Sequence, residues 1–464
     1  MDTSHFFPLP DKAALTSAFL GKSLQEVPVP SAVLDVAKIQ ENCRLMLDAV
    51  QELDVAFRAH VKTHKTLELT RYQVGHDCKD VRLICSTIAE LDHLIPLIKE
   101  YQAQGAKANV LYGVPPGISH LNRLAGFIQT VGAGTLTLMT DHPAQLDAAE
   151  QISILTNTTV KVFLKTDSGY HRAGQLPKDK TMEALVQAAL ALEAREHLEI
   201  TGFYSHNSLS YGGSSPLEAM DNLRIEIDAC TLAAQHNLPS DVLANRPKPL
   251  VISCGASPTA LSIQNLLSKS VDTVSTVSAD ALRTSLATAK KHNIHFEIHA
   301  GVYPTFDMQQ VSAASRSDTN LRPGTHFHDS IAFTVLSEVC SEYPTRTENP
   351  EALINAGCLA LAREPCKSYR GHGVVSPWNM LTGYDAYSPD QRVIVDRVSQ
   401  EHGILQWENR GRNDPLPVEY SQRIRIWPNH ACITGAQFGW YLVVDSESED
   451  EDIVKDVWVR WRGW

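Results

Sequence analysis

Between about residues 30 and 310, short apolar runs alternate with helix-like segments. The runs are SAVLD (31–35), VAFRAHVKT (55–63), VRLICST (81–87), NVLYGV (109–114), TLTLMT (135–140), TVKVFLKTD (159–167), ITGFYSH (200–206), LVISCG (250–255) and HFEIHAG (295–301). Amphipathic stretches lie between them. VAKIQENCRLMLDAV (36–50) follows Asp35, a candidate N-cap, and IAELDHLIPLIKEYQAQG (88–105) ends on a glycine suited to a C-cap. Repeated strand-then-helix units predict a parallel sheet, because parallel neighbours need a crossover. About eight such units over roughly 280 residues is the size of a (βα)8 barrel; a doubly wound open sheet is the other arrangement this pattern permits.

After about residue 320 the texture changes. RPGTHFHDSIAFTVLSEVCSEY, EALINAGCLALARE, RVIVDRVSQEHGILQW, RIRIWPNHACITGAQFGWYLVV and DIVKDVWVRWRGW look like strands without intervening helices. The expected organisation is a barrel over 31–318 and a mainly β domain over 319–464. The first 30 residues precede the first unit and are expected to join the β domain.

Forty-one basic residues against 53 acidic ones give a formal charge of -12, the wrong sign for non-specific nucleic-acid binding. The acidic run Ser446–Asp452 reads as a solvated loop. Nine scattered cysteines, an odd number with no CxxC pair, suggest reduced thiols and a cytoplasmic protein rather than a disulfide framework. No secretory leader is evident, and no apolar stretch is long enough to span a membrane.

The segment FRAHVKTHKT (57–66) carries the chemistry. Val55, Phe57, Ala59 and Val61 fall on one face of an extended chain; Arg58, His60 and Lys62 fall on the other. A solvated edge strand would show the same alternation. In a barrel, however, functional groups gather at the C-terminal ends of strands, and unusual residues recur there. Lys62 closes one run, and DSGYHRAG (167–174) follows another. His206 closes a third, SCGASPT (253–259) a fourth, and Gly301-Val-Tyr303 a fifth. A lysine beside Arg58 and His60 would have its ammonium disfavoured by like charge and desolvation. It would then be an amine nucleophile and base near neutral pH. Glycine and serine turns could offer backbone N–H groups to a phosphate. A Schiff-base lysine with a phosphate cradle is what pyridoxal 5′-phosphate requires.

These blocks resemble a known family. RAHVKTHKT is similar to the cofactor-lysine motif of the zinc-dependent D-serine dehydratases and the D-threonine aldolases, relatives of alanine racemase. DSGYHRAG, GFYSHNSLSYGG (202–213), SCGASPT, EIHAGVYPTFD (297–307), INAGCLALARE (354–364) and PNHAC (428–432) continue the match in order. The resemblance implies an alanine racemase-like barrel, a homodimer, and Lys62 as both the cofactor lysine and the base for the α-proton. It places Arg172 near the ring's 3′ oxygen, His206 against the ring and Tyr204 at the pyridine nitrogen. Ser253, Gly255, Thr259, Gly301 and Tyr303 match the turns around the phosphate.

His430 and Cys432 share a face if their segment is a strand, so imidazole and thiolate can converge on one ion. Two donors are too few for a closed structural zinc site, which leaves positions open for a substrate oxygen. In the resembling D-serine dehydratases this pair binds zinc; in the resembling aldolases the second position is usually aspartate. Cys432 therefore favours elimination of water from D-serine, with zinc activating the β-hydroxyl, to give pyruvate and ammonia. A D-threonine aldolase-type lyase, a dehydratase of another β-hydroxy D-amino acid such as 3-hydroxyaspartate, and a non-enzymatic cofactor-binding protein are the alternatives.

Overall fold

The computed structural model describes residues 6–267, 273–290, 292–317, 325–346, 349–381 and 383–464. Eight parallel strands close into a barrel. A second layer is a nine-stranded sheet that is antiparallel except at one pairing. In chain order, β1 is Ser31–Asp35, β2 Ala56–His60, β3 Asp80–Cys85, β4 Lys107–Tyr112 and β5 Leu136–Thr140. Next come β6 Val160–Lys165, β7 Leu198–Ser205, β8 Leu250–Cys254 and β9 Ile294–Ala300. β2 to β9 form the barrel, β9 closing on β2 through the register Ala56 to Glu297 and Ala59 to Ala300.

One expectation is corrected here. SAVLD is not a barrel strand. β1 pairs antiparallel with β10 (Phe333–Tyr343) and parallel with β16 (Trp440–Val444). The barrel proper therefore starts at β2, not at residue 31. All five residues of β1 are buried, so its sequence looks the same in either setting. The boundary expected at 318/319 lies outside the described residues. The remaining sheet strands are β11 Glu351–Ile354, β12 Gly373–Val375, β13 Val393–Val398, β14 Gly403–Trp407, β15 Arg423–Pro428 and β17 Asp456–Val459. The N-terminal segment lies against this sheet. Gly21 and Leu24 donate to Val454 and Asp452 backbone carbonyls, and Leu24 and Val27 pack with Val33, Leu336, Leu442 and Val457.

Several helices begin where the sequence supplies a cap. Thr66, Thr87 and Ser215 each accept a backbone N–H of the helix they precede. Asp35 stands at the N-cap position of the helix Val36–Glu52, but its side chain makes no capping bond. It accepts from Ser446 N instead. No helix among the described residues is long and apolar enough to cross a membrane.

The barrel interior is partly ionic. The buried Arg58 guanidinium grips Glu297 with bonds of 2.6 and 3.0 Å, and Arg82 adds a third at 3.0 Å. Burial pushes the Glu297 carboxyl up, but the two guanidinium groups bring it below the usual range. Arg58 is thus a neutralised structural charge deep in the barrel, and the expected cationic company for Lys62 is not supplied by it. Glu297→Gln is expected to destabilise the fold by about 3 kcal/mol, since it leaves Arg58 buried without a countercharge. Chemical denaturation would read this directly.

Candidate active site

A cleft of about 300 Å³ opens at the C-terminal end of the barrel, within reach of β2, β3, β4, β6 and β7. Its lining includes His60, Lys62, Ser86, Lys165, Arg172, Tyr204 and His206. The structure thus brings together Lys62, Arg172, Tyr204 and His206. A larger cavity of about 800 Å³ lies at the opposite barrel end. Most of its charges are already paired: Arg58 with Glu297, Arg82 with Asp80, Arg246 with Glu193 and Lys248 with Glu199.

The segment after β2 explains its own composition. Lys62 is half-buried in a turn just past the strand. Its backbone N–H donates to His60 Nδ1 at 3.3 Å, so the His60 proton sits on Nε2, which faces Ser86 Oγ at 3.3 Å. Burial, then the charges of Lys62 and His206, keep His60 neutral. His64 is structural, held between Thr66 and Gln73 at 3.1 and 3.0 Å. Lys65 pairs with the buried Glu90 at 2.8 Å. Of the cations in the stretch, only Lys62 lines the cleft.

The loop DSGYHRAG is a tight turn that presents Arg172. Asp167 accepts the N–H groups of Gly169 and His171, and its other oxygen meets His171 Nδ1 at 2.8 Å. Gly174, at φ +106°, donates to Asp141; a Cβ there would meet Thr166 backbone carbon at 2.8 Å. Only glycine suits that closure.

The residues expected around a phosphate cluster at the ends of β8 and β9, but most of their side chains are engaged internally. Ser253 Oγ faces His299 Nδ1 at 3.0 Å. Thr259 Oγ1 accepts from Ala256 N at 2.8 Å. Gly255, at φ +144°, packs so closely that a Cβ would come 2.3 Å from His299 O. Its carbonyl takes His206 Nδ1 at 2.6 Å. A Cβ at Gly301 would meet His60 at 3.3 Å. These positions shape a narrow backbone cradle. Tyr303 is different. Its side chain is fully buried, edge-on to Phe57 and close to Cys43 and Gln73, and so lies outside the cleft. Its hydroxyl is not one of the cleft groups.

Beneath this cradle Glu226 is fully buried. One oxygen accepts the N–H groups of Asn207 and Gly255, both at 3.2 Å, and the other faces Thr259 Oγ1 at 3.4 Å. Burial raises its pKa to about 8. A carboxyl whose folded pKa is raised stabilises the fold below its unfolded value and loses that contribution as pH rises toward 8. Melting temperature is therefore expected to fall between about pH 5 and pH 8. Glu226→Gln, which keeps an oxygen to accept from Thr259 but does not titrate, is expected to flatten that slope.

His430 and Cys432 do not share a strand. β15 ends at Pro428, His430 caps the short helix Ala431–Gly435, and Cys432 sits in its first turn. The pair still comes together, since imidazole and thiol act on each other's protonation. Cys432 Sγ lies 3.0 Å from Thr63 Oγ1, the residue next to Lys62. Burial raises the thiol's pKa, but the bond and charge of His430, then Lys62 and Thr63, bring it below the usual value. Burial lowers the imidazole's, yet Cys432, Asp307 and Glu364 raise it to about 10. Glu364 lies 3.2 Å from His430 Nδ1, which leaves Nε2 for an ion. Among the described residues no group of three or more His, Cys, Asp or Glu side chains could hold a metal. The site is a two-donor, sulfur-and-nitrogen pair, which suits zinc with open positions. The cleft volume, near the lower end of small-ligand sites (~300–1,000 Å³), and the glycine cradle likewise suit pyridoxal phosphate.

Of the titratable residues lining the cleft, His60 and Lys165 were not among the expected site residues. Lys165 is the last residue of β6, and that position was the available signal.

Residues 34–276 match the alanine racemase N-terminal domain, and residues 332–444 match a putative serine dehydratase domain. The chain is 34% identical to the D-serine dehydratase of Schizosaccharomyces pombe, over 100% of this chain and 98% of that one. It is 30% identical to the D-serine dehydratase of Saccharomyces cerevisiae, over 97% and 99%. The structure of D-threo-3-hydroxyaspartate dehydratase from Delftia sp. HT23 superposes with a TM-score of 0.70 at 23% identity, covering 96% of this chain and 100% of that chain, which establishes the common fold. With its barrel, its sheet and its full length matched, the chain belongs to the D-serine dehydratase family, built on the alanine racemase-like fold.

Proposed function

We propose that the protein is a pyridoxal phosphate- and zinc-dependent lyase that eliminates water from D-serine, releasing pyruvate and ammonia. The observation that carries this reading is the adjacency of a cleft lysine and a soft two-donor site: Cys432 Sγ is 3.0 Å from Thr63, the residue following Lys62. The full-length similarity to enzymes named D-serine dehydratase supports the choice of substrate.

When bound, pyridoxal phosphate would supply an aldehyde for the substrate amine and an electron sink for the α-carbon, and zinc a Lewis acid for the β-hydroxyl. Lys62 Nζ would hold the cofactor aldehyde, and its free amine would take the α-proton. His60 fixes the Lys62 backbone and stays neutral. His206 is likewise kept neutral, first by burial and then by Lys62 and His299, and would pack against the ring. Tyr204 holds its proton, because burial raises its phenol, and would offer the hydroxyl to the pyridine nitrogen. Arg172 would serve the ring's 3′ oxygen. The cradle at Gly255 and Gly301 lets backbone approach the phosphate, with Ser253 and Thr259 holding it in shape. His430 and Cys432 would hold the metal.

The reading includes a cytoplasmic homodimer. Val114, on the cleft wall and partly exposed, is an apolar group that a second copy would cover.

An absorbance spectrum of the purified protein, followed by D-serine addition with pyruvate detection, tests the proposal. A visible cofactor band and pyruvate release that a zinc chelator stops are expected. A band without pyruvate would move the substrate to D-threonine or 3-hydroxyaspartate. No band after pyridoxal phosphate is added would refute the proposal.

A further inference from the structure

Lys165 has no role in the mechanism above. It ends β6, lines the same cleft as Lys62 and is only 6% exposed. A buried lysine is ordinarily paired. Here no hydrogen-bond acceptor or carboxylate engages the ammonium among the described residues; its contact is the face of Tyr204, with Nζ 4.8 Å from the ring centroid. The carboxylates nearest to it are committed elsewhere. Asp141 takes the Gly174 N–H and the Gln145 side chain, and Glu226 takes two backbone N–H groups. Arg172, seven residues on, also lacks a carboxylate partner; its guanidinium lies over the Tyr170 ring. Two cations therefore face one cleft with no resident anion.

We propose that Lys165 is the anchor for the α-carboxylate of the substrate, with Arg172 as its neighbouring charge. This rests on the cleft being an amino-acid site. The phosphate cradle lies at the ends of β8 and β9, so Lys165, on β6, is left for a different anion. A carboxylate would give the ammonium a charged acceptor and relieve its repulsion by Arg172.

Protonation sets the pH dependence. Burial, then Arg172, lowers the Lys165 pKa to about 8, while Cys230, Glu226 and Asp141 act in the opposite direction. His206, His299 and Tyr204 also face it and are held neutral by burial. Carboxylate affinity should be full at low pH and fall as the ammonium loses its proton. A bound carboxylate shifts that loss to higher pH.

The test uses two amine-free probes on the cofactor-loaded protein, 3-hydroxypropionate and its neutral amide, with binding measured by calorimetry. The wild type is expected to favour the carboxylate. Lys165→Met should weaken 3-hydroxypropionate about 10- to 100-fold and leave the amide unchanged. Lys165→Arg should restore part of the preference. Lys165→Gln serves as a second uncharged variant if methionine impairs folding. KM for D-serine should rise with pH in the wild type and stay flat in the uncharged variant. Unchanged carboxylate binding in both uncharged variants would overturn the proposal. So would loss of the visible cofactor band with the carboxylate preference intact, which would assign Lys165 to the cofactor's ring oxygen. A wild type that prefers the carboxylate but shows no cofactor band would support the anchor while refuting the lyase reading.

Discussion

Lys62→Ala is expected to lower turnover by at least about 10³-fold, because it removes the base for the α-proton together with the attachment point. The visible cofactor band should disappear from the variant at the same time. Melting temperature should hardly change. Lys62 is half-buried, and its side chain makes no ion pair among the described residues, so little of the fold depends on it. The three readouts together separate a chemical role from a structural one. Retention of the band in this variant would move the attachment to another amine, and Lys165 would be the first to examine.

The second large effect is expected at the thiol. Cys432→Ala should lower D-serine turnover by about 10²- to 10³-fold, the range for losing a Lewis acid at a leaving hydroxide. Bound zinc should fall from one per chain to near zero, while the visible band from Lys62 persists. Metal analysis and an absorbance spectrum on one preparation check both statements. Full turnover in a zinc-free variant would remove the metal from the mechanism. Thr63→Val offers a graded version, since it deletes only the hydroxyl 3.0 Å from Cys432 Sγ.

The barrel was legible because its signal is local. Short apolar runs set between helix-like segments mark strands whichever faces they bury, and eight of the nine expected runs became barrel strands. The ninth, SAVLD, failed for a physical reason. Five consecutive buried residues carry no facing information, so nothing in the run distinguishes a barrel neighbour from a sheet neighbour. Arg58 was misplaced because its partner, Glu297, lies 239 residues away, and charge pairing at that separation leaves no local trace. At His430 and Cys432 the expected strand geometry was not found: Pro428 ends the strand early, and the two residues lie at a helix start. Tyr303 sat in a matching turn, but its side chain points to the Phe57 side of the barrel wall. Backbone-level likeness does not fix side-chain direction.

The placement of β1 has a consequence for how the protein is made. Its antiparallel partner, β10, begins at Phe333, and its parallel partner, β16, begins at Trp440. During synthesis the ribosome releases the barrel strands first, while Ser31–Asp35 waits as an apolar ribbon until β10 emerges, and is flanked on both sides only once β16 follows near the end of the chain. The two halves of the proposed reaction centre follow the same timetable: Lys62 comes early, and Cys432 comes within the last tenth of translation. A nascent chain thus carries an aggregation-prone edge for most of its birth and lacks the His430 and Cys432 side chains until the end. A premature stop late in the message would yield a protein with a complete barrel and no complete site.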